Sequence, residues 1–264
     1  MAQVTSRLGV TVLGSGSQGN ALVVHSATEA LLVDAGFTAR ELQRRLGEAG
    51  LDPGLLKAIL VSHEHADHVR GLGVSARHYG IPVYCNRLTA EVLRSRDEDL
   101  GQITIFAVGA AFRVGEFEVE PFSIPHDAND PVGFVIRTAG FKIGLATDLG
   151  HASHLVCHHL QACDLLVVES NHEIAMLRDS TRPWPLKQRI LGRHGHLSNA
   201  DSMDLLKRVV HARTRFLVLA HASTECNRYE LVERYAADCL AGLGRPDVTI
   251  RVARQDTWLP TLWL

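Results

Sequence analysis

The sequence predicts an α/β protein built as a four-layer αββα sandwich, two sheets packed face to face with helices outside. Three observations predict it. Two β-rich stretches, around residues 8–34 and 112–145, are each followed by helix and strand in alternation. No linker of Pro, Gly or Ser separates the two halves. The length, 264 residues, is ordinary for one α/β domain, so residues 1–264 read as a single domain.

The elements follow in order. Leu8 to Leu13, Ala21 to His25 and Ala30 to Asp34 read as strands, the first two framing the loop Gly14-Ser15-Gly16-Ser17-Gln18-Gly19-Asn20. Thr38-Ala39-Arg40-Glu41 reads as a capping box opening a helix that ends near Gly47 to Gly50. Ala58 to Val61 is a short buried strand, followed by a helix near Gly73 to Tyr79, a strand Pro82 to Cys85, a helix Thr89 to Arg94 and a strand Ile103 to Val108. Phe112 to Leu145 reads as paired strands turning at Gly115-Glu116 and Ala139-Gly140, with His126 on a connection. The second alternating series has helices at His151 to Ala162, Asn199 to His211 and Glu225 to Leu240. Its strands are Asp164 to Glu169, Phe216 to Ala220 and Val248 to Val252. Asp179 to Leu197 is a long irregular stretch and therefore reads as functional.

Composition excludes several classes. With 46% hydrophobic and 21% charged residues the chain is globular rather than disordered or fibrous. No apolar run approaches the ~18 residues of a membrane span, and Met1 to Val10 shows no secretory signal, so the cytoplasm is the expected location and no membrane partner is expected. Five cysteines without a C-x-x-C pair read as reduced, buried thiols. A net charge of −2 gives no global field toward nucleic acid, so any such partner needs a local patch. Fifteen histidines point to a use for imidazole.

That use lies in His63-Glu64-His65-Ala66-Asp67-His68, directly after a hydrophobic strand. On a loop leaving a strand, His63 and His65 can converge on one cation while Asp67 and His68, a turn later, face a second. Imidazole with carboxylate suits zinc, manganese or iron, and such mixed sets serve hydrolytic two-metal sites.

The motif resembles the H-x-H-x-D-H signature of the metallo-β-lactamase superfamily, without substitution. The resemblance implies two divalent metal ions and three more ligands at strand ends: His126 with His63 and His65, His221 with Asp67 and His68, and Asp148 bridging the pair. Asp148 stands where the lactam-cleaving branch places cysteine, and His65 where the oxygen-reducing flavodiiron branch has glutamate, so both branches are excluded. Over almost the whole chain the sequence is similar to the YycJ/WalJ-type group. The marks are the Gly14 to Asn20 loop, Asp34-Ala35-Gly36, the histidine motif, His126-Asp127-Ala128-Asn129-Asp130-Pro131, Glu169-Ser170-Asn171-His172 and Gly195-His196-Leu197-Ser198-Asn199. That group resembles the nuclease side of the superfamily, including tRNase Z and RNase J, and its members are regarded as single-strand or 5′-to-3′ DNA exonucleases. The resemblance therefore implies a phosphodiesterase, with Asp67 counted among its catalytic residues.

Physics makes the same choice, because a hydroxide between two cations can attack phosphorus while the metals take up charge. The leaving oxygen then needs a proton. His196, a loop residue just before a helix, is a candidate donor, or else caps that helix or serves the structure, and by resemblance to tRNase Z Glu169 would hold it as an acid dyad. His172 either orients that dyad, binds phosphate or starts a helix. His151, His154, His158 and His159 read as a solvated helix face. Arg178, Arg182, Trp184, Lys187, Arg189 and Arg193 gather cations around one aromatic, either a mixture suited to phosphates and a stacked base of single-stranded DNA or a charged loop with Trp184 packed inward. The Gly14 to Asn20 loop could lie over the site, but without a following helix it is no dinucleotide or P-loop signature. Two other functions share these residues: a small-molecule phosphodiesterase opening cyclic phosphates, and a non-catalytic metal-binding regulator. Oligomeric state has no signal in the sequence.

Overall fold

The computed structural model describes residues 7–96 and 99–264, so most of the amino-terminal stretch read above for a secretory signal lies outside the described residues. Two seven-stranded sheets form the body. The first runs β14-β1-β2-β3-β4-β5-β6 and the second β13-β12-β11-β10-β9-β8-β7. In the first, β1 (Gly9–Gly14), β2 (Ala21–His25) and β3 (Ala30–Val33) are antiparallel neighbours. From β3 the sheet continues in parallel through β4 (Leu56–Leu60), β5 (Val83–Cys85) and β6 (Ile103–Ile105).

The second sheet repeats the plan. An antiparallel meander, β7 (Phe112–Val114), β8 (Phe117–Ser123), β9 (Val132–Thr138) and β10 (Phe141–Ala146), passes into the parallel strands β11 (Leu165–Glu169), β12 (Phe216–Ala220) and β13 (Thr249–Val252). β14 (Leu262–Trp263), which the sequence reading did not contain, closes the first sheet beside β1.

Strand periodicity explains the layers. Val10, Val12, Leu22 and Val24 point between the sheets and meet Phe134, Val167 and Val218, whereas Leu13, Ala21 and Val23 point outward under the helices. Similarly Leu165 and Val167 face inward and Leu166 and Val168 outward, so β11 is apolar on both faces, as a strand covered on both sides must be. The outer face of the first sheet packs on α1 (Ala39–Glu48), α3 (Leu72–Tyr79) and α4 (Arg87–Ser95). That of the second packs on α5 (His154–Leu160), α8 (Asn199–Val209) and α9 (Tyr229–Gly242). The expected αββα layering is therefore observed.

Caps set the helix starts. The Thr38, Asn86, Ser153 and Ser198 side chains accept from backbone N–H groups in the first turns of α1, α4, α5 and α8. The Thr38 box is half built, because Glu41 turns to Arg44 and Arg45 instead of reaching back. Three short helices depart from the sequence reading: α2 (Ala66–Val69) inside the histidine motif, α6 (Ile174–Asp179), and α7 (Trp184–Leu191) inside the stretch expected to be irregular. Pro183 and Pro185 fall at the N-cap and in the first turn of α7, where a missing N–H costs nothing. Among the described residues no helix is long and apolar enough to cross a membrane.

Candidate metal centre and acid dyad

The histidine motif leaves the C-terminal end of β4 and turns at once into α2, so three imidazoles meet within a few residues. His65 Nδ1 lies 3.1 Å from His63 Nε2 and 3.2 Å from His126 Nε2. Each outer ring is held from behind, His63 Nδ1 at 3.0 Å from Ser62 Oγ and His126 Nδ1 at 3.2 Å from the Gly195 carbonyl. His65 Nδ1, at hydrogen-bond distance from both other ring nitrogens, can satisfy only one of them, and a cation among the three satisfies all. His63 is fully buried, which together with its imidazole neighbours drives its pKa well below the usual value and keeps a lone pair available.

The second set is Asp67, His68 and His221, with Asp148 between it and the first. His221 Nε2 lies 3.3 Å from Asp67 Oδ2 and 3.4 Å from Asp148 Oδ1, and His68 Nε2 lies 3.2 Å from Asp148 Oδ2. Burial opposes charge on His68 and His221, but the surrounding carboxylates together outweigh it, Asp148 and Asp34 at His68 and Asp148, Asp67 and Glu169 at His221, and hold both well above the ordinary histidine value. Asp148 itself is 2% exposed, and its Oδ2 accepts no hydrogen bond of good geometry. With His68 in the neutral form that binds a metal, this buried oxygen has no charged partner, and a metal cation supplies one. The residues present thus fit metal ions: His63/His65/His126 and Asp67/His68/His221 form two adjacent groups, and Asp148 joins them through the overlapping groups His63/His68/Asp148 and Asp148/Glu169/His196/His221.

Strand ends aim these groups. Asp34 and His221 lie one residue past β3 and β12, and Asp148 two residues past β10, with φ of 59°, 55° and 58°, the left-handed region that non-glycine residues avoid at about 1–2 kcal/mol each. Local hydrogen bonds hold them there. Asp34 N–H donates to the Leu60 carbonyl and His221 N–H to Ser15 Oγ, both at 2.8 Å. Asp34, to which the sequence reading gave no role, is the partner of His68, with Oδ2 at 2.7 Å from Nδ1, and it also accepts from Ser62 N–H and Oγ–H. The sequence signals for it were its place at the end of a strand and the Asp34-Ala35-Gly36 mark of the family resemblance.

The glycine-rich loop lies over the second group. Asn20 Oδ1 accepts from Gly16 N–H and Ser15 Oγ–H, while its Nδ2 lies 3.4 Å from Asp67 Oδ2 and 3.1 Å from His68 Nε2. Gly36 permits this packing, because a Cβ there would stand 1.7 Å from the Asp67 carbonyl oxygen. Ser17, at the exposed loop tip, lines the metal pocket.

Glu169 organises the far wall. Its Oε1 accepts from His196 Nδ1 at 2.8 Å and from His221 Nδ1 at 2.9 Å, and its Oε2 from the N–H groups of Leu149 and Leu197. Burial alone would raise this carboxyl, but the two imidazoles hold it down at about 2. His196, although desolvated, is held above the ordinary histidine value by Glu169. With Nδ1 committed to Glu169, Nε2 is the ring nitrogen left for the pocket, which His196 lines beside His65, Asp67, His126, Asp148 and His221. Gly195 lets this loop pack against α7, since a Cβ there would meet the Arg189 and Ile190 carbonyls at 2.2 Å.

Of the basic segment, the fold brings Arg189 to the metal pocket, pinned through Nε to the Asp127 carboxylate. Arg182 lines an adjoining recess, and Trp184 is 59% exposed. Lys187 is buried with Nζ donating to the carbonyls of Arg178 and Ser180, 2.6 Å each, so its ammonium closes the turn before α7 instead of facing solvent. Arg178 and Arg193 are exposed and line neither space. His172 is 1% exposed, bridges Ser198 in register, and has no hydrogen-bond partner on either ring nitrogen among the described residues; burial lowers its pKa to about 4. In the α5 region, His159 stacks on Phe122 and pairs with Glu120, His151 contacts the Arg193 carbonyl, and His154 and His158 are exposed. No metal-holding group forms there among the described residues.

Residues 29–222 match the family model described as a beta-lactamase superfamily domain. The chain is 36% identical over 236 residues to the exodeoxyribonuclease YycJ of Bacillus anthracis, covering 89% of each. It is 35% identical over 235 residues to the exodeoxyribonuclease WalJ of Streptococcus pneumoniae serotype 2, covering 88% of this chain and 87% of that one. Among solved structures it is similar to the metallo-beta-lactamase fold protein YhfI of Bacillus subtilis, with a TM-score of 0.72 at 16% identity over 96% of this chain and 99% of that one.

Proposed function

We propose, from the premise that this chain belongs to the beta-lactamase superfamily and is a metallo-hydrolase, that it hydrolyses phosphodiester bonds as a DNA exonuclease, with single-stranded DNA as substrate. The observation that carries this reading is the His196–Glu169 pair beside two adjacent metal-ligand groups, in a pocket flanked by Arg189. Similarity to two relatives named exodeoxyribonuclease supports DNA as the polymer.

His63, His65 and His126 would hold one divalent ion and Asp67, His68 and His221 a second, with Asp148 between them; zinc, manganese and iron all suit this donor set. Two such ions supply a water acidic enough to react at neutral pH and neutralise charge on the phosphoryl oxygens. The chain's own groups do the rest. Asp67, facing the pocket between His68 and His221, orients the attacking water. Arg189 presents its terminal guanidinium nitrogens to the phosphate, and His196 gives its Nε2 proton to the departing oxygen. Glu169 keeps that proton in place by accepting from Nδ1. Exposed Trp184, at the start of α7, offers a stacking face for a base of the strand; Arg178, Arg182 and Arg193, before and after α7, add positive charge for its phosphates, and Lys187 anchors α7. His172 packs behind the dyad and supports the His196 loop through its bridge to Ser198.

The test is to load the protein with zinc, manganese or iron and assay labelled single- and double-stranded DNA, RNA and bis-p-nitrophenyl phosphate, with Asp148→Ala as control. Stepwise shortening of single-stranded DNA is expected. Cleavage of the small ester alone would replace the nuclease reading with a small-molecule phosphodiesterase, and inert, fully metallated protein would leave only a binding role.

A further inference from the structure

Two of the three residues in the Asp67/His68/His221 group are braced from one loop. Residues 14–20 join β1 to β2 with glycine at three of seven positions, a composition that leaves the backbone many conformations. Ser15 Oγ nevertheless accepts from the His221 N–H at 2.8 Å and donates to Asn20 Oδ1 at 2.8 Å. Asn20 in turn donates its N–H to the Asp67 carbonyl at 2.8 Å, while its Nδ2 lies 3.4 Å from Asp67 Oδ2 and 3.1 Å from His68 Nε2. Such contacts position a ligand only if the loop that makes them is itself held.

What holds it comes from the far end of the fold. Gln255, which follows β13 and is 237 positions from Gln18, spends both ends of its amide on the loop backbone. Its Oε1 accepts from Gln18 N–H at 2.8 Å, and its Nε2 donates to the Gly19 carbonyl at 3.0 Å. The neighbouring Arg254 carbonyl accepts from Ser15 N–H at 2.9 Å. Gln255 is 7% exposed, so water competes little for these contacts. Gly16 makes the room, since a Cβ there would stand 2.5 Å from Gln255 Oε1. Arg70 adds an outer tie from Nη1 to the Gln18 carbonyl at 2.8 Å, through an exposed side chain. Gln255 itself lines neither the metal pocket nor the adjoining recess.

We propose that Gln255 is a positioning residue for the second metal group: its amide fixes the glycine-rich loop, and through Ser15 and Asn20 the loop sets the spacing of His221 and Asp67. This rests on the two-ion reading given above. The effect is confined to one group, because His63 and His126 are backed by Ser62 and the Gly195 carbonyl, and His63, His65 and His126 make no hydrogen bond to the loop among the described residues.

The experiment titrates the metal-free full chain with manganese(II) and reads the dissociation constant of each ion by isothermal calorimetry. His65→Ala and His221→Ala, each breaking one group, assign the two constants. Gln255→Met keeps the side chain's length and loses both amide contacts. It is expected to weaken the ion of the Asp67/His68/His221 group about tenfold and that of the other group by no more than about twofold. Ser15→Ala, which removes the link between His221 and Asn20, should act in the same direction and serves if the glutamine variant fails to fold. Equal weakening of both ions, as a general loss of structure would give, or no weakening of either, overturns the role. If wild type takes up one ion only, the two-ion reading fails by itself and Gln255 is judged on that ion. A single ion lost in His221→Ala and weakened tenfold in Gln255→Met supports the role; one that His221→Ala retains, or that Gln255→Met leaves unchanged, overturns it.

Discussion

Asp34 and His68, 34 positions apart in sequence, meet through a 2.7 Å hydrogen bond from Nδ1 to Oδ2 that fixes the histidine's tautomer and turns its Nε2 toward Asp148. The carboxylate has no other visible task than to hold Ser62 and this ring.

Asp34→Asn is therefore an informative change. Asparagine tolerates the left-handed backbone and preserves shape, but it weakens the charged contact behind His68. Metal affinity is expected to fall about 10- to 100-fold, with the far-ultraviolet circular dichroism retained. A chelator-competition titration measures it, and unchanged affinity would show that His68 needs no such partner.

His196→Ala tests the dyad. Loss of a general acid lowers kcat by roughly 10² to 10⁴ for poor leaving groups, and far less for p-nitrophenolate, which departs without a proton. Metal content, read by elemental analysis, should stay the same, since His196 lies outside the two ligand groups. Equal losses on both substrates would assign His196 to binding or structure.

His172 makes an acid-lability prediction. Its folded pKa, about 4, lies below the ordinary 6.5 because burial penalises the charged ring. The unfolded chain therefore takes up this proton first, so stability is full above about pH 6.5 and falls as pH drops toward 4, by on the order of 3 kcal/mol. Urea unfolding of wild type and His172→Leu at pH 7 and pH 4.5 measures the difference between them. Parallel acid losses in the two proteins would count against the assignment.

Lys187 and Trp184 should separate cleanly. Lys187→Met strands the carbonyls of Arg178 and Ser180 and is expected to cost about 1–3 kcal/mol in stability. Trp184→Ala removes a largely exposed ring, so the melting temperature should hardly move while single-stranded DNA affinity drops by about 1–3 kcal/mol. Fluorescence anisotropy against a labelled oligonucleotide and thermal melts distinguish the two. A destabilised Trp184→Ala protein would place the indole in the core.

Much of the fold was legible in the residues because strands covered on both faces are written as unbroken apolar runs, as in Leu165 to Val168 and Leu217 to Ala220. The short helices were not. α2 and α7 are four and eight residues long, and they are stabilised by what surrounds them rather than by a periodic apolar stripe. Lys187 was misleading for a related reason: a lysine is read as a surface cation until packing shows its ammonium among carbonyls.

The sequence by itself determined the two sheets and the six-residue metal motif, since strand period and the spacing of His63 to His68 are set by covalent geometry within a few residues. Only the tertiary structure decided which groups complete it. Asp34 against His68, Glu169 shared by His196 and His221, Asp127 against Arg189 and Glu225 against Arg182 join residues 34, 27, 52, 62 and 43 positions apart. No local periodicity encodes such pairs; they arise because the packing of the sheets brings the C-terminal ends of β3, β4, β10, β11 and β12 to one rim of the sandwich.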